Sequence, residues 1–248
     1  MTTYSRFFGA GAETLASLSR NLSPAAAADL SAALALAAHD DLEGSGVSPR
    51  VVTALVAALP TGSPLGIRTL AGLLRASRLA GPDDDRAVPF LSMVARLSTW
   101  QLLTADLFYA SLRATFRGSA FSLALGDRPR LALFLPWSAL LDALAPSEAD
   151  REEPSRVLGP TLFGLMQENL IDPPFLYGPK ETLRSRFARA SDYGVILVPS
   201  GLGASLFLMG RGLPFVGPGA FFDEAVSGLD DGFQLPPGVS PVIGSEEH

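Results

Sequence analysis

The sequence predicts a mainly α protein, an antiparallel helical array with a small β element near its C-terminal third. Three observations carry this. The apolar content of 48% is built largely from Ala and Leu, which favour helix over strand. Apolar residues recur at three- and four-residue spacing through most of the chain. Serine–proline pairs and short Gly/Pro breaks divide that pattern into short helices whose brief connections make neighbours antiparallel.

The elements follow in order. Ser23 with Pro24 supplies a cap and a first-turn proline, opening an Ala-rich helix that runs to about Glu43 and ends at Gly44-Ser45-Gly46. Ser48 with Pro49 repeats the signal, and Val52, Leu55, Val56 and Leu59 face inward. After a break at Pro60 to Pro64, Leu65 to Leu79 reads as a helix with Ile67, Leu70, Leu73 and Leu74 inside. Asp83, Asp84 and Asp85 suit a helix first turn, where carboxylates meet the positive end of the dipole. Pro89 resets that start before Phe90, Met93, Val94 and Leu97. Ser98 opens the next helix, with Leu102, Leu103, Leu107 and Leu112 inward and Trp100 and Phe108 alongside.

Farther on, alternation at Phe121, Leu123 and Leu125 and again from Leu131, around Gly126 to Pro129, has the form of a hairpin. Pro136 to Ala145 is a short helix. Leu158, Leu162, Leu165 and Met166 form a helical stripe that ends at Asn169-Leu170-Ile171, before Asp172-Pro173-Pro174. Leu176, Leu183, Phe187 and Ala190 share one face of a following helix. Val195 to Val198 is the clearest strand, and Ser200 caps a short helix containing Leu202, Leu206 and Phe207. Four segments result: a helical domain over 1–146, an acidic linker over 147–154, a helical/β unit over 155–217 packing on the first, and an irregular or disordered tail over 218–248.

Composition narrows the function. The chain has no cysteine, so disulfides and thiolate chemistry are excluded. Its net charge is -6, so no overall positive field gathers nucleic acid. The amino terminus lacks the apolar core of a signal peptide. Leu131 to Ala145, the most apolar stretch, is interrupted by Pro136 and Asp142 and falls short of the ~20 residues of a membrane span. No transmembrane segment and a cytoplasmic location are expected.

The chemical motifs are sparse. His39-Asp40-Asp41 has the form of a metal-dependent phosphohydrolase dipeptide, but such a site needs more histidines than the two present. Asp83 to Asp85 cannot all face one hard cation. No nucleophile elbow, Ser-x-x-Lys or phosphate loop occurs; the lone lysine, Lys180, follows Pro179. Gly201-Leu202-Gly203 and Gly217-Pro218-Gly219 lack the third glycine of a dinucleotide fingerprint and read as turns. No catalytic residue, metal site or cofactor is expected, apart from an enzyme site assembled from scattered Asp, Glu, Arg and Tyr. Lys180, Arg184, Arg186 and Arg189 form the one basic cluster, flanking the Leu183–Phe187–Ala190 stripe as snorkelling side chains do. Tyr177, Lys180, Arg184 and Arg186 are the candidate interaction surface.

One longer pattern spans residues 49 to 210. Leu97-Ser98 opens a helix, Asn169-Leu170-Ile171 closes another, and Val195 to Phe207 joins a strand to a last helix, in the order of a winged-helix-like unit. With the helical region from Pro49 to Leu97, this resembles the abortive-infection alpha (Abi-alpha) family of bacterial phage-defence proteins. Asn169 stands at the pattern's glycine, Val198 at its threonine and Ala204 at its phenylalanine, with Phe207 following. The stretch from Leu112 to Ser155 separates the two halves. The resemblance implies a non-enzymatic sensor, adaptor or effector with a protein partner, and supplies no catalytic residues. The alternatives are a winged-helix-like DNA-binding regulator, using Lys180 to Arg189 with Arg113 and Arg117, and a protein acting peripherally on membranes through Leu131 to Ala145 or Leu202 to Phe215.

Overall fold

The computed structural model describes residues 8–38, 46–59, 63–123, 126–144, 147–214, 217–226, 229 and 232–242. It is mainly helical, with a small four-stranded antiparallel sheet in the C-terminal part. The chain divides into two compact units, residues 1–99 with 208–216 and residues 100–207 with 217–248. The division falls before Trp100, well ahead of the boundary expected at 146, because residues 100–144 supply a strand and helices to the sheet-bearing unit.

The first unit holds α1 (Ala12–Ser19), α2 (Pro24–Ala37), α3 (Pro49–Ala57), α4 (Pro64–Ala80) and α5 (Val88–Val94). The serine–proline signals mark two helix starts as read, α2 at Pro24 and α3 at Pro49. Ser23 Oγ accepts from the Ala26 amide at 3.2 Å, satisfying an amide that the first turn leaves free, whereas the Ser48 side chain makes no such bond. Ser63, not singled out from the sequence, caps α4 instead, its Oγ accepting from the Gly66 amide at 3.0 Å. Val51, Val52, Leu55, Leu70, Leu73, Leu74 and Leu91 are wholly buried. Ile67, Val56 and Leu59 reach only half-burial. The three aspartates are not a helix start: α5 begins at Val88, with Pro89 in its first turn and no carboxylate there. Instead Asp84 accepts from the Arg86 amide at 2.9 Å and from its Nε at 2.8 Å, and Asp85 pairs with Arg50. Gly72 in α4 meets Gly210 backbone to backbone; a Cβ on Gly72 would stand 1.9 Å from the Gly210 carbonyl oxygen.

The second unit is built from α6 (Thr99–Phe116), β1 (Leu133–Pro136), α7 (Trp137–Leu144), α8 (Glu148–Glu152), α9 (Ser155–Gln167), β2 (Ile171–Gly178), α10 (Lys180–Leu183), β3 (Gly194–Pro199), the start of α11 (Gly201–Gly210) and β4 (Ser240–Pro241). The sheet order is β2-β3-β1-β4. Apart from the short α8 and α10, the order from α6 is helix, strand, helix, helix, strand, strand, with β3 inside the sheet. The stretch between Leu112 and Ser155 supplies β1 and α7. β3, the strand clearest in the sequence, is buried along its whole length, as its unbroken apolar run requires.

Several sequence expectations are corrected. Among the described residues no hairpin forms around Gly126 to Pro129: β1 pairs with β3, Leu133 opposite Leu197. The preceding loop is closed by side chains instead, Asp127 accepting from the Ser122 amide at 3.1 Å and Arg128 Nε donating to the Leu123 carbonyl at 2.8 Å. Residues 124–125 lie outside the described residues. The acidic linker is exposed but helical, because Ser147 caps α8. The expected helix through Leu176 to Ala190 is a strand and one helical turn: Leu176 belongs to β2, and α10 ends at Leu183. The stripe itself survives, since Leu183, Phe187 and Ala190 are buried against Phe134, Ile196 and Val198, with Leu176 packed alongside. The tail is not wholly irregular. Residues 218–222 form a 3-10 turn, β4 pairs with β1, and Phe221, Phe222 and Leu229 are buried.

Candidate interaction surface

Helix α6, the chain end of α9 and the start of α11 meet at one hydroxyl. Tyr109 of α6 is wholly buried, and its hydroxyl donates to the Leu170 carbonyl at 2.6 Å while accepting from the Ser200 amide at 3.0 Å. Ser200 Oγ donates to the Asn169 carbonyl at 2.6 Å and accepts from the Gly203 amide at 2.9 Å, capping α11. Tyr109 therefore links the helix after Ser98, the chain end of α9 and the start of α11. Burial pushes its hydroxyl well above the ordinary tyrosine range, the hydrogen bonds with Ser200 opposing the shift.

Asn169 explains how α9 turns into β2. Its φ is 55°, the left-handed conformation that glycine takes freely and asparagine tolerates. The Asn169 amide donates to the Met166 carbonyl at 2.9 Å and the Leu170 amide to the Leu165 carbonyl at 2.8 Å. These two bonds are a Schellman ending, and Leu165 and Leu170, the apolar pair that accompanies it, are both wholly buried.

On the outer side of this junction, α9 and β2 display aromatic rings. Leu158, Leu162 and Leu165 point inward, while Arg156, Pro160, Phe163 and Gln167 form an exposed stripe at the spacing of one helix face. Phe163 is 50% exposed. Its ring meets Phe175 edge-on at 5.2 Å, and Phe175 lies beside Tyr177 at 6.3 Å. Tyr177 packs over Gly159, where a Cβ would stand 3.2 Å from the phenolic oxygen. β2 is an edge strand, which is why Pro173 and Pro174 are tolerated in it. They coincide with a break in the β2–β3 register between Asp172 and Leu176.

The four candidate residues are brought together only in part. Tyr177 is half-buried in β2; Lys180, Arg184 and Arg186 are exposed in the connection that follows. Arg184 Nε donates to the Ala190 carbonyl at 3.0 Å, so this arginine also fastens the connection. Near its end, burial and the neighbouring Tyr177 push the Tyr193 hydroxyl upward, against a bond to Ser155. Phe163 and Phe175 join the surface without having been singled out from the sequence. Phe163 had a readable signal, an aromatic ring out of step with the Leu158–Leu162–Leu165 stripe.

Arg113 is excluded from any recognition surface. It is wholly buried, donating to the Phe221 carbonyl, to Asp223 at 3.1 Å and to Val226 at 2.7 Å. Arg117 is exposed. Most apolar side chains of the two stretches considered for membrane contact are buried, although Leu202 is exposed, and Ala145 and Phe215 lie outside the described residues. Leu131, Leu133, Phe134, Leu135, Trp137 and Leu140 are buried, as are Leu206, Phe207, Leu208 and Met209. No described helix is long and apolar enough to cross a membrane.

Among the described residues no three His, Cys, Asp or Glu side chains gather to hold a metal. His39, Asp40, Asp41 and His248 lie outside them. An open cleft of about 480 Å³ beside α6 and α7 is lined by Leu107, Ala139, Asp142, Phe233, Pro236 and Pro237, among others. Among the described residues that line it, Asp142 is the one carboxylate. The chain matches no family model, no curated protein and no solved structure.

Proposed function

We propose that this chain is a non-enzymatic interaction protein in bacterial abortive-infection phage defence, acting as sensor, adaptor or effector through the surface of α9 and β2. The observation that carries the interaction role is Phe163. In a winged helix that reads duplex DNA, the helix before the strand pair lies in the major groove and needs donors for base edges and phosphates. The exposed stripe of α9 offers one cation, Arg156, and at its middle a half-exposed phenylalanine. An aromatic ring surrounded by polar side chains is the composition of a protein-binding patch.

The defence role rests on the Abi-alpha-like pattern. Two features lend it support. Asn169 fills the pattern's glycine position in the left-handed conformation that such a glycine serves, and the pattern's separated segments converge on Tyr109. Recovery of the tagged chain from its own cells, with and without phage infection, tests the role. The expected result is a specific protein that appears or disappears on infection and is lost with Phe163→Asp.

The second reading, a DNA-binding regulator, is favoured by Lys180, Arg184, Arg186 and Arg189 standing exposed between β2 and β3. It requires DNA retardation that weakens steeply with salt. No retardation even at low salt dismisses it.

A further inference from the structure

The aromatic surface has a charged margin that specifies what it accepts. The whole chain carries a net charge of -6. Within residues 179–193, however, Lys180, Arg184, Arg186 and Arg189 stand exposed against two carboxylates, Glu181 and Asp192. This basic segment begins two residues beyond Tyr177. Arg156 lies one helical turn before Pro160 on the exposed face of α9. The β2 strand runs past α9 so that Phe175 meets Phe163 and Tyr177 meets Gly159, nearer the Arg156 end. Exposed cations thus stand close in sequence to that end, Arg156 three residues before Gly159 and Lys180 three residues after Tyr177, while Phe163 and Pro160 present apolar surface without hydrogen-bond donors.

We infer that the α9–β2 surface docks an acidic peptide segment of a partner protein. An apolar side chain of the segment rests on Phe163 and Phe175, and its carboxylates lie toward Arg156 and Lys180. Charge complementarity selects this occupant, because an acidic ligand meets the cations while the apolar anchor occupies ground where a phosphate backbone finds no donor. This inference rests on the reading of the chain as an interaction protein, and it names the chemistry of the partner.

The test uses the full chain and a fluorescein-labelled peptide of alternating Glu and Leu, followed by fluorescence anisotropy. Peptides of alternating Lys and Leu and of alternating Glu and Ser serve as controls. The Glu/Leu peptide is expected to bind, with weaker binding at higher salt, and each control to bind at least about tenfold more weakly. Phe163→Asp and Lys180→Glu are each expected to weaken it about tenfold or more, with cooperative thermal melting well above the assay temperature showing that both variants fold. No binding at about 1 mM chain, equal binding of the Lys/Leu peptide, or full binding by both variants overturns the inference. Preferential binding of a single-stranded oligonucleotide assigns the surface to nucleic acid instead. A concentration-dependent dimer abolished by Phe163→Asp, without peptide binding, assigns it to a second copy. Loss of the peptide result with phage protection intact removes the acidic ligand and leaves the defence reading standing.

Discussion

The hydroxyl of Tyr109 donates to the Leu170 carbonyl at 2.6 Å across 61 positions of sequence. The same oxygen receives the Ser200 amide at 3.0 Å, so one phenol satisfies two backbone groups from separate segments. In Tyr109→Phe the ring still packs against Phe108 and Phe221, but both groups lose their partner. A buried polar group left unpaired costs about 1–3 kcal/mol. Urea denaturation is expected to show an unfolding free energy lower by about that amount, seen as a lower midpoint with the slope unchanged because the surface exposed on unfolding is the same.

The same residue gives the protein an alkaline limit. The folded state holds the Tyr109 hydroxyl well above the ordinary tyrosine value, chiefly through burial. Its neutral form is thus favoured in the folded state, and the resulting stability is fully present below the unfolded tyrosine value of about 10. It is lost as pH rises from there toward the folded value, where the unfolded chain has already released its proton. Absorbance at the phenolate band is expected to show one of the four tyrosines ionising only on unfolding, and Tyr109→Phe is expected to flatten the alkaline fall in stability.

The helical half of this fold was legible because caps and periodicity are local. Ser23, Pro89 and the Leu158–Leu162–Leu165 stripe each state their role within one or two turns. β3 was legible for a related reason: a central strand buried on both faces needs an unbroken apolar run, as Val195 to Val198 provides. β1 and β2 were not. Leu133 finds its partner at Leu197, and nothing near Leu133 names that residue. Arg113 misled for the same reason, since the carbonyls it binds lie 108 to 113 residues away. The basic part of the candidate surface was visible as a cluster in sequence, whereas its aromatic part required α9 and β2 to come together.

Gly203 is a second test of the junction. A Cβ there would stand 2.2 Å from the Tyr109 hydroxyl and 2.4 Å from the Leu170 carbonyl oxygen. The carbonyl belongs to backbone held by the Schellman ending of α9 and cannot swing aside. Gly203→Ala is therefore expected to destabilise by about 1–3 kcal/mol through overpacking. Gly217→Ala is the control: its φ is -57° and nothing lies within 4 Å of a Cβ placed there, so thermal melting should register no more than ~0.5 kcal/mol.

Arg113 fastens residues 221–226 to α6 through three carbonyls. Replacement by Met leaves those oxygens without the guanidinium, at a cost of about 3 kcal/mol or more. Lysine keeps the charge but not the planar fork, so Arg113→Lys is expected to recover only part of the loss. Limited proteolysis mapped by mass spectrometry should find faster cleavage within 217–226 in both variants, slower in Arg113→Lys.

Phe163 separates function from stability. At 50% exposure its replacement by Asp should cost about 1–2 kcal/mol of folding stability, from the lost contact with Phe175 and partial burial, checked by denaturation, while removing the centre of the α9–β2 surface. The most direct measurement is plaque counting with a broad phage panel on cells carrying the wild-type gene, the Phe163→Asp gene or neither. The account predicts fewer plaques with the wild-type gene for at least one phage, and counts restored by Phe163→Asp. Identical counts in all three strains across the panel would contradict it.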